Sequence, residues 1–430
     1  MFFLIFFVGF LLLLFAIGIP VAVSIGFTSL WVMIIQSGIR DIPYELTAIN
    51  MMHGVNNFPI LAVPFFVLAA NIMNAGGVTG RIFGFANCLV GHIKGGLGHV
   101  NVLASMIFAG MSGTAVADAA GLGTLEIKAM RDAGYDLGFS TGITGASSVI
   151  GPIIPPSVAM IIYGWLADVS IGGLFMGAIV PGILMGLLMM IMVYIYAIKK
   201  RTPQRSRSSV REILISSKDA VLSLLTPAII VGGIWSGVFT PTESGAVASF
   251  YAIILVMIIY REVSWRELLE VFYRTIEFTA IILFIISCAM LYAWLMVKLR
   301  IPFILAEGIV GISSNPLIIL FIITGFLLIV GCFMSVLESV IIFTPILTPM
   351  VTQLGIDPLF FGIFMVITLS IGVLTPPFGN VIYVLVKITG LSFEQVVKSV
   401  LPFILPIFAV ILLIIFFPSL TTYIPGVCGF

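Results

Sequence analysis

Apolar residues along this chain come in runs of roughly twenty, without the alternating pattern of an outer-membrane barrel strand. Such runs cross about 30 Å of hydrocarbon as α-helices, because a lipid-embedded backbone must satisfy its own N–H and C=O groups. In the first half they predict helices at 2–17, 20–36, 54–75, 140–164 and 171–198, with a separate feature between about 95 and 130. The second half predicts 221–237, 241–260, 273–296, 358–386 and 399–419, again with a separate feature at about 304–350.

The punctuation of these runs repeats. A shift of 221 positions, without a gap, places Pro20 on Pro241, Gly110 on Gly331, Gly134 on Gly355 and Asp136 on Asp357. The same shift carries Ile150-Gly151 onto Ile371-Gly372, Pro155-Pro156 onto Pro376-Pro377 and Pro181 onto Pro402. Most of these are helix breakers, which are costly in lipid and are kept where backbone opens around something. Five crossings per half make the second copy enter from the opposite side, so the repeats are expected to be inverted, as in secondary transporters. The expected fold class is therefore an all-α polytopic membrane protein with two inverted-topology repeats, 1–205 and 220–430, joined by a basic linker at 206–219.

Composition agrees with that expectation. Hydrophobic residues make up 61% and charged residues 9% of 430 positions, against about 25% charged in soluble domains. A net charge of +1 excludes the basic surface that nucleic-acid binding needs. The few charges report topology. Lys199, Lys200, Arg201, Arg205, Arg207, Arg211 and Lys218 face only Glu212 and Asp219, which places this stretch in the cytoplasm and the N-terminus on the periplasmic side. The count also puts Arg81, Lys94, Lys128, Arg131, Arg261, Arg266, Arg274 and Lys387 inside. Cys88, Cys288, Cys332 and Cys428 are scattered and signal neither zinc nor a disulfide framework. No H-E-x-x-H helix or other catalytic signature is present, so an enzyme is not expected.

The chemistry is expected at the two separate features. Between 95 and 130, two short apolar arms flank Ser112-Gly113-Thr114, which predicts a re-entrant hairpin; the shifted counterpart carries Met334-Ser335. Each is followed by a helix interrupted at Ile154-Pro155-Pro156-Ser157 or Thr375-Pro376-Pro377-Phe378. Paired prolines remove N–H donors and leave carbonyls without intrahelical partners, a setting suited to a small desolvated cation. One Na⁺ site is expected at Ser112, Gly113, Thr114, Gly151 and Ile154, and another at Met334, Ser335, Gly372, Thr375 and Pro376. Between them the substrate is expected near Ser112, Thr114, Ser157, Ser335 and Asn380. No other cofactor is expected.

Asp118, Glu243 and Glu338 are the carboxylates expected to be buried. Asp118 and Glu338 sit just beyond the tips, where they bond hairpin amides or act in gating or coupling. Asp136 and Asp357 are expected N-caps.

Gly110-Met-Ser-Gly-Thr-Ala-Val-Ala-Asp118, Ile150-Gly-Pro-Ile-Ile-Pro-Pro-Ser157, Gly237-Val-Phe-Thr-Pro-Thr-Glu243 and Leu374-Thr-Pro-Pro377 resemble the large membrane subunit of tripartite ATP-independent periplasmic (TRAP) transporters. The resemblance runs nearly the full length. It implies a bacterial inner-membrane, Na⁺-coupled importer of organic acids, such as a C4-dicarboxylate or a sialic acid, working as an elevator. It also implies two partners besides the bilayer: a small membrane subunit, here expected as a separate chain, and a periplasmic substrate-binding protein. The alternative is a stand-alone Na⁺- or H⁺-coupled carboxylate symporter. The second tip, Phe333-Met334-Ser335, is less polar than the first, which weakens the side-chain part of its ion site.

Overall fold

In the computed structural model of the protein, the described residues are 7, 9–11, 13–15, 17–38, 41–200, 202, 206–311, 313 and 315–430. Among them the chain is helical throughout, without a strand, and eight helices are long and apolar enough to cross a membrane. The expected 2–17 helix lies largely outside the described residues.

The first half contains α1 (Val21–Ser37), α2 (Tyr44–Val55), α3 (Ala62–Ala75), α4 (Val78–Val90), α5 (Gly96–Ser112), α6 (Ala115–Ala120), α7 (Leu122–Asp132), α8 (Leu137–Ser148), α9 (Val158–Ala167) and α10 (Ile171–Lys200). The second contains α11 (Val210–Trp235), α12 (Pro241–Ile254), α13 (Trp265–Lys298), α14 (Ile301–Val310), α15 (Pro316–Phe333), α16 (Val336–Gln353), α17 (Pro358–Gly372), α18 (Asn380–Thr389), α19 (Phe393–Phe416) and α20 (Ser419–Val427). Helix starts recur at a spacing of about 221: Gly96 and Pro316, Ala115 and Val336, Leu137 and Pro358.

Several bounds differ from expectation, for local reasons. Helix α11 begins at Val210, not 221, because Ser209 and Glu212 form a capping box, so the basic linker ends at Ser209. A second box, Ser264 with Glu267, starts α13 at Trp265 instead of 273. The single helix expected at 54–75 is broken at Asn57-Phe58-Pro59, giving α2, a 3₁₀ turn and α3, while its counterpart α13 runs 34 residues unbroken. Helices α4 and α14 were not expected. The second hairpin is α15 and α16, within 316–353, and each arm has 18 residues, long and apolar enough to cross a membrane.

Helices α1 to α4 pack with α11, α12 and α13. Hairpin arm α5 packs on α4, α8 and α10, α15 packs on α17, and α19 packs across α8. This arrangement brings the two tips and the two interruptions together.

Candidate functional site

At the first tip α5 stops at Gly113, whose φ of +62° is left-handed and suits glycine. Thr114 then caps α6, accepting from Ala117 N at 3.3 Å. A Cβ on Gly113 would lie 3.3 Å from Pro156 O, so the tip packs directly on the interruption of the α8–α9 pair. A Cβ on Gly151 would lie 3.0 Å from Thr114 O and 3.1 Å from Ser148 O, so the tip and broken-helix carbonyls converge on this glycine. The Ser112 hydroxyl beside them is buried without a hydrogen-bond partner.

The second tip is built differently. Ser335 caps α16 and accepts from Glu338 N at 3.4 Å, and Glu338 Oε2 accepts from Ser335 N at 2.9 Å. Gly331 lies against Gly372, where the backbones are in contact. Thr375 Oγ1 donates to Ile371 O at 2.7 Å, and Phe378 N donates to Cys332 O at 3.3 Å, tying the broken helix to the hairpin arm. Both proline pairs, Pro155-Pro156 and Pro376-Pro377, are cis.

A cavity of about 200 Å³ lies between the tips, and Gly113, Thr114, Pro152, Ser335, Val336 and Asn380 are among its lining residues. The N-terminal ends of α16 and α18 open onto it through Val336 and Asn380. Of the residues expected at the substrate, Thr114, Ser335 and Asn380 line this cavity, and Ser112 lines its neighbour. Ser157 lines neither: it is fully buried, donates its hydroxyl to Pro152 O, and accepts from Met160 N as the cap of α9. Gly151, Ile154, Met334, Gly372, Thr375 and Pro376 are not among the lining residues of the cavity between the tips; they stand on the second tip and the broken helices, with Gly151, Met334 and Gly372 buried and Pro376 exposed.

The buried acids are not the expected set. Asp118 is buried, but both its oxygens lack partners; Thr114, not Asp118, accepts the hairpin amide. Glu338 is half-buried in its capping box, and Glu243 is exposed, boxed with Thr240. Glu126, which no sequence signal marked, is buried instead. Its Oε2 accepts from Asn101 Nδ2 at 2.6 Å, while Asn101 also donates to Thr144 Oγ1 at 2.7 Å and accepts from Ser147 Oγ at 2.7 Å. In the second half these positions, shifted by 221, hold Ile322, Leu347, Met365 and Thr368, so this polar cluster belongs to the first half alone. Asp136 and Asp357 are caps, accepting from Phe139 N and Leu359 N, each at 2.8 Å.

A second cavity of about 340 Å³ adjoins the first, sharing Thr114, Val116 and Phe278 with it. Asn71 and Asn74 of α3 and Arg274 of α13 line it, none of which was singled out in sequence as a site residue. Among the described residues no group of three or more His, Cys, Asp or Glu is placed to hold a metal.

The architecture is that of a polytopic membrane transporter. It is similar to the crystal structure of the YdaH transporter from Alcanivorax borkumensis, with a TM-score of 0.67 at 14% identity over 88% of each chain. Residues 8–420 match the family described as "Tripartite ATP-independent periplasmic transporter, DctM component", and the chain belongs to that family. It is 43% identical to the sialic acid TRAP transporter large permease protein SiaM of Vibrio cholerae, over 97% of both chains. It is 36% identical to the C4-dicarboxylate TRAP transporter large permease protein DctM of Pseudomonas aeruginosa, over 89% of this chain and 90% of that one.

Proposed function

We propose that this large permease subunit imports a small organic acid, of the sialic acid or C4-dicarboxylate class, across the bacterial inner membrane in symport with Na⁺. The observation that carries the reading is the cavity of about 200 Å³ lined by residues of both tips and both broken helices. Two helix N-termini open onto it, and their partial positive ends favour a carboxylate. The acid would lie against Thr114, Ser335 and Asn380. Sodium would be held by oxygens of Ser112, Gly113, Thr114, Gly151 and Ile154 at one tip, and of Met334, Ser335, Gly372, Thr375 and Pro376 at the other; oxygen donors suit such a hard cation. Hairpins and broken helices would move as an elevator against α1–α4 and α11–α13, with the N-terminus periplasmic. A small membrane subunit would brace this scaffold, and a periplasmic binding protein would deliver the acid. The chain itself would perform no chemical conversion.

The test is uptake of labelled N-acetylneuraminate or succinate into proteoliposomes holding the protein with its small subunit, with and without the binding protein. Uptake that needs both an inward Na⁺ gradient and the binding protein is expected. Uptake driven equally well in K⁺ by a proton gradient would sink Na⁺ coupling. Uptake without the binding protein would favour the stand-alone symporter.

A further inference from the structure

The cavity of about 340 Å³ beside the tips holds the one cationic side chain in the walls of either tip cavity, Arg274. Arg274 and Phe278 are four residues apart on α13 and share one face of it, about 6 Å apart along the axis. Phe278 lines both cavities, so the guanidinium stands one helical turn from the space between the tips. Among the described residues Arg274 makes no ion pair; the pairs found are Arg81 with Glu262 and Arg131 with Asp132. Glu270 and Glu277 lie about one turn away on either side of α13, and both are exposed.

The opposite wall is amide-rich and held in place. Asn71 Nδ2 donates to Thr275 Oγ1 at 3.0 Å, which locks α3 to α13 beside Arg274. Asn74 Oδ1 accepts from Thr79 Oγ1 at 3.2 Å. The Asn74 amide also packs on the hairpin at Gly121, where a Cβ would lie 3.3 Å from Asn74 Oδ1 and 3.4 Å from its Nδ2. An arginine on a membrane helix can instead run its stem to the headgroups. Arg274 and Asn74 are exposed and Asn71 is half-buried, and the three side chains line one half-open cavity beside the tips, a grouping with two amides that a lipid anchor does not require.

We propose that Arg274, with Asn71 and Asn74, forms a carboxylate-binding subsite that takes the transported acid as it passes between the tip cavity and the side carrying the basic linker. The subsite rests on the organic-acid reading above and extends it. The planar guanidinium offers a fork of donors that fits a carboxylate, and the neighbouring amides suit hydroxyl or second-carboxylate oxygens of the same molecule. Because all three side chains stand on α3 and α13, the acid would pass from the moving tips to a fixed wall.

The test is counterflow in proteoliposomes holding the large and small subunits, with the periplasmic binding protein present outside, measured as a function of internal N-acetylneuraminate or succinate. In Arg274→Gln the internal concentration for half-maximal exchange should rise about tenfold, the loss of one charge-assisted hydrogen bond, with the Na⁺ dependence unchanged. Asn74→Asp keeps the side chain's shape and sets a competing carboxylate in the subsite, so it should raise the same concentration. An unchanged half-saturation in both variants, alongside exchange by the parent protein, overturns the subsite. Failure of the parent protein to exchange either acid overturns the organic-acid reading and the subsite with it.

Discussion

Gly331 and Gly372 touch through their backbones: a Cβ built on Gly372 falls on the main chain of Gly331, and one built on Gly331 lies 2.9 Å from Gly372 Cα. Their counterparts 221 positions earlier, Gly110 and Gly151, are not paired in this way. Gly151 faces Thr114 O and Ser148 O, and Gly110 faces Pro227 and Pro155 O. The second tip is therefore joined to its broken helix by close backbone packing, and the first through converging carbonyls. Overpacking of backbone against backbone has no flexible side chain to absorb it. Gly372→Ala should destabilise the protein by about 3 kcal/mol or more, seen as a large fall in Tm in detergent. An unchanged Tm would mean that the contact yields freely.

Ser112→Ala separates the structural from the ionic role of the first tip. Its hydroxyl is buried without a partner, so in K⁺ its removal should leave Tm equal or slightly higher, by relief of about 1 kcal/mol of desolvation. In Na⁺ the variant should show a smaller stabilisation than the parent, since a ligand of the native state raises Tm by mass action. Titrating Na⁺ against K⁺ at constant ionic strength reads both signs, and equal Na⁺ shifts would remove Ser112 from the site.

Asn101 ties Glu126, Thr144 and Ser147 together inside the first half. Asn101→Leu would strand a carboxylate oxygen and the Thr144 hydroxyl in a dry interior, while Ser147 keeps Thr144 O and Ser105 as partners, and should cost about 3 kcal/mol. Thermal unfolding of Asn101→Leu against Glu126→Gln checks this. The glutamine variant keeps an acceptor for the Asn101 amide and should be the milder of the two.

Arg81 and Glu262 join α4 to the turn before α13 through two hydrogen bonds, at 2.6 and 3.1 Å, with Arg81 also lying 3.8 Å over the Tyr260 ring. The Arg81 hydrogen bond holds the Glu262 carboxyl below the usual glutamate value. A depressed folded-state value means that the stabilisation is full above the ordinary glutamate range and is lost as pH falls through the lowered one. Glu262 is 40% exposed, so solvent screening limits the effect to at most about 1 kcal/mol. Glu262→Gln should lower Tm slightly at neutral pH, and the gap from the parent should close in acid. A gap that persists there would assign the effect to packing.

Much of the architecture was legible because helix breakers act locally. Pro20, Pro155-Pro156, Pro376-Pro377 and the glycines near them remove donors or admit special backbone angles wherever they stand, so their recurrence at 221 positions marks tips and interruptions without knowledge of neighbours. Capping boxes are local too, but Ser209–Glu212 and Ser264–Glu267 lie in polar stretches where hydropathy hid the helix starts. Thr114, Ser335 and Asn380 were legible as cavity residues because they stand at those breaks.

The sequence by itself determined a membrane-embedded, all-helical chain with two polar tips and two broken helices, since composition and backbone chemistry suffice for each. Only the tertiary structure decided that Ser157 is consumed as a cap, that Glu126 is buried while Glu243 is exposed, and that Arg274 lines a cavity beside the tips. Burial and pairing depend on which distant segments meet. Asn71 reaches Thr275 across 204 positions, and no local pattern records that contact.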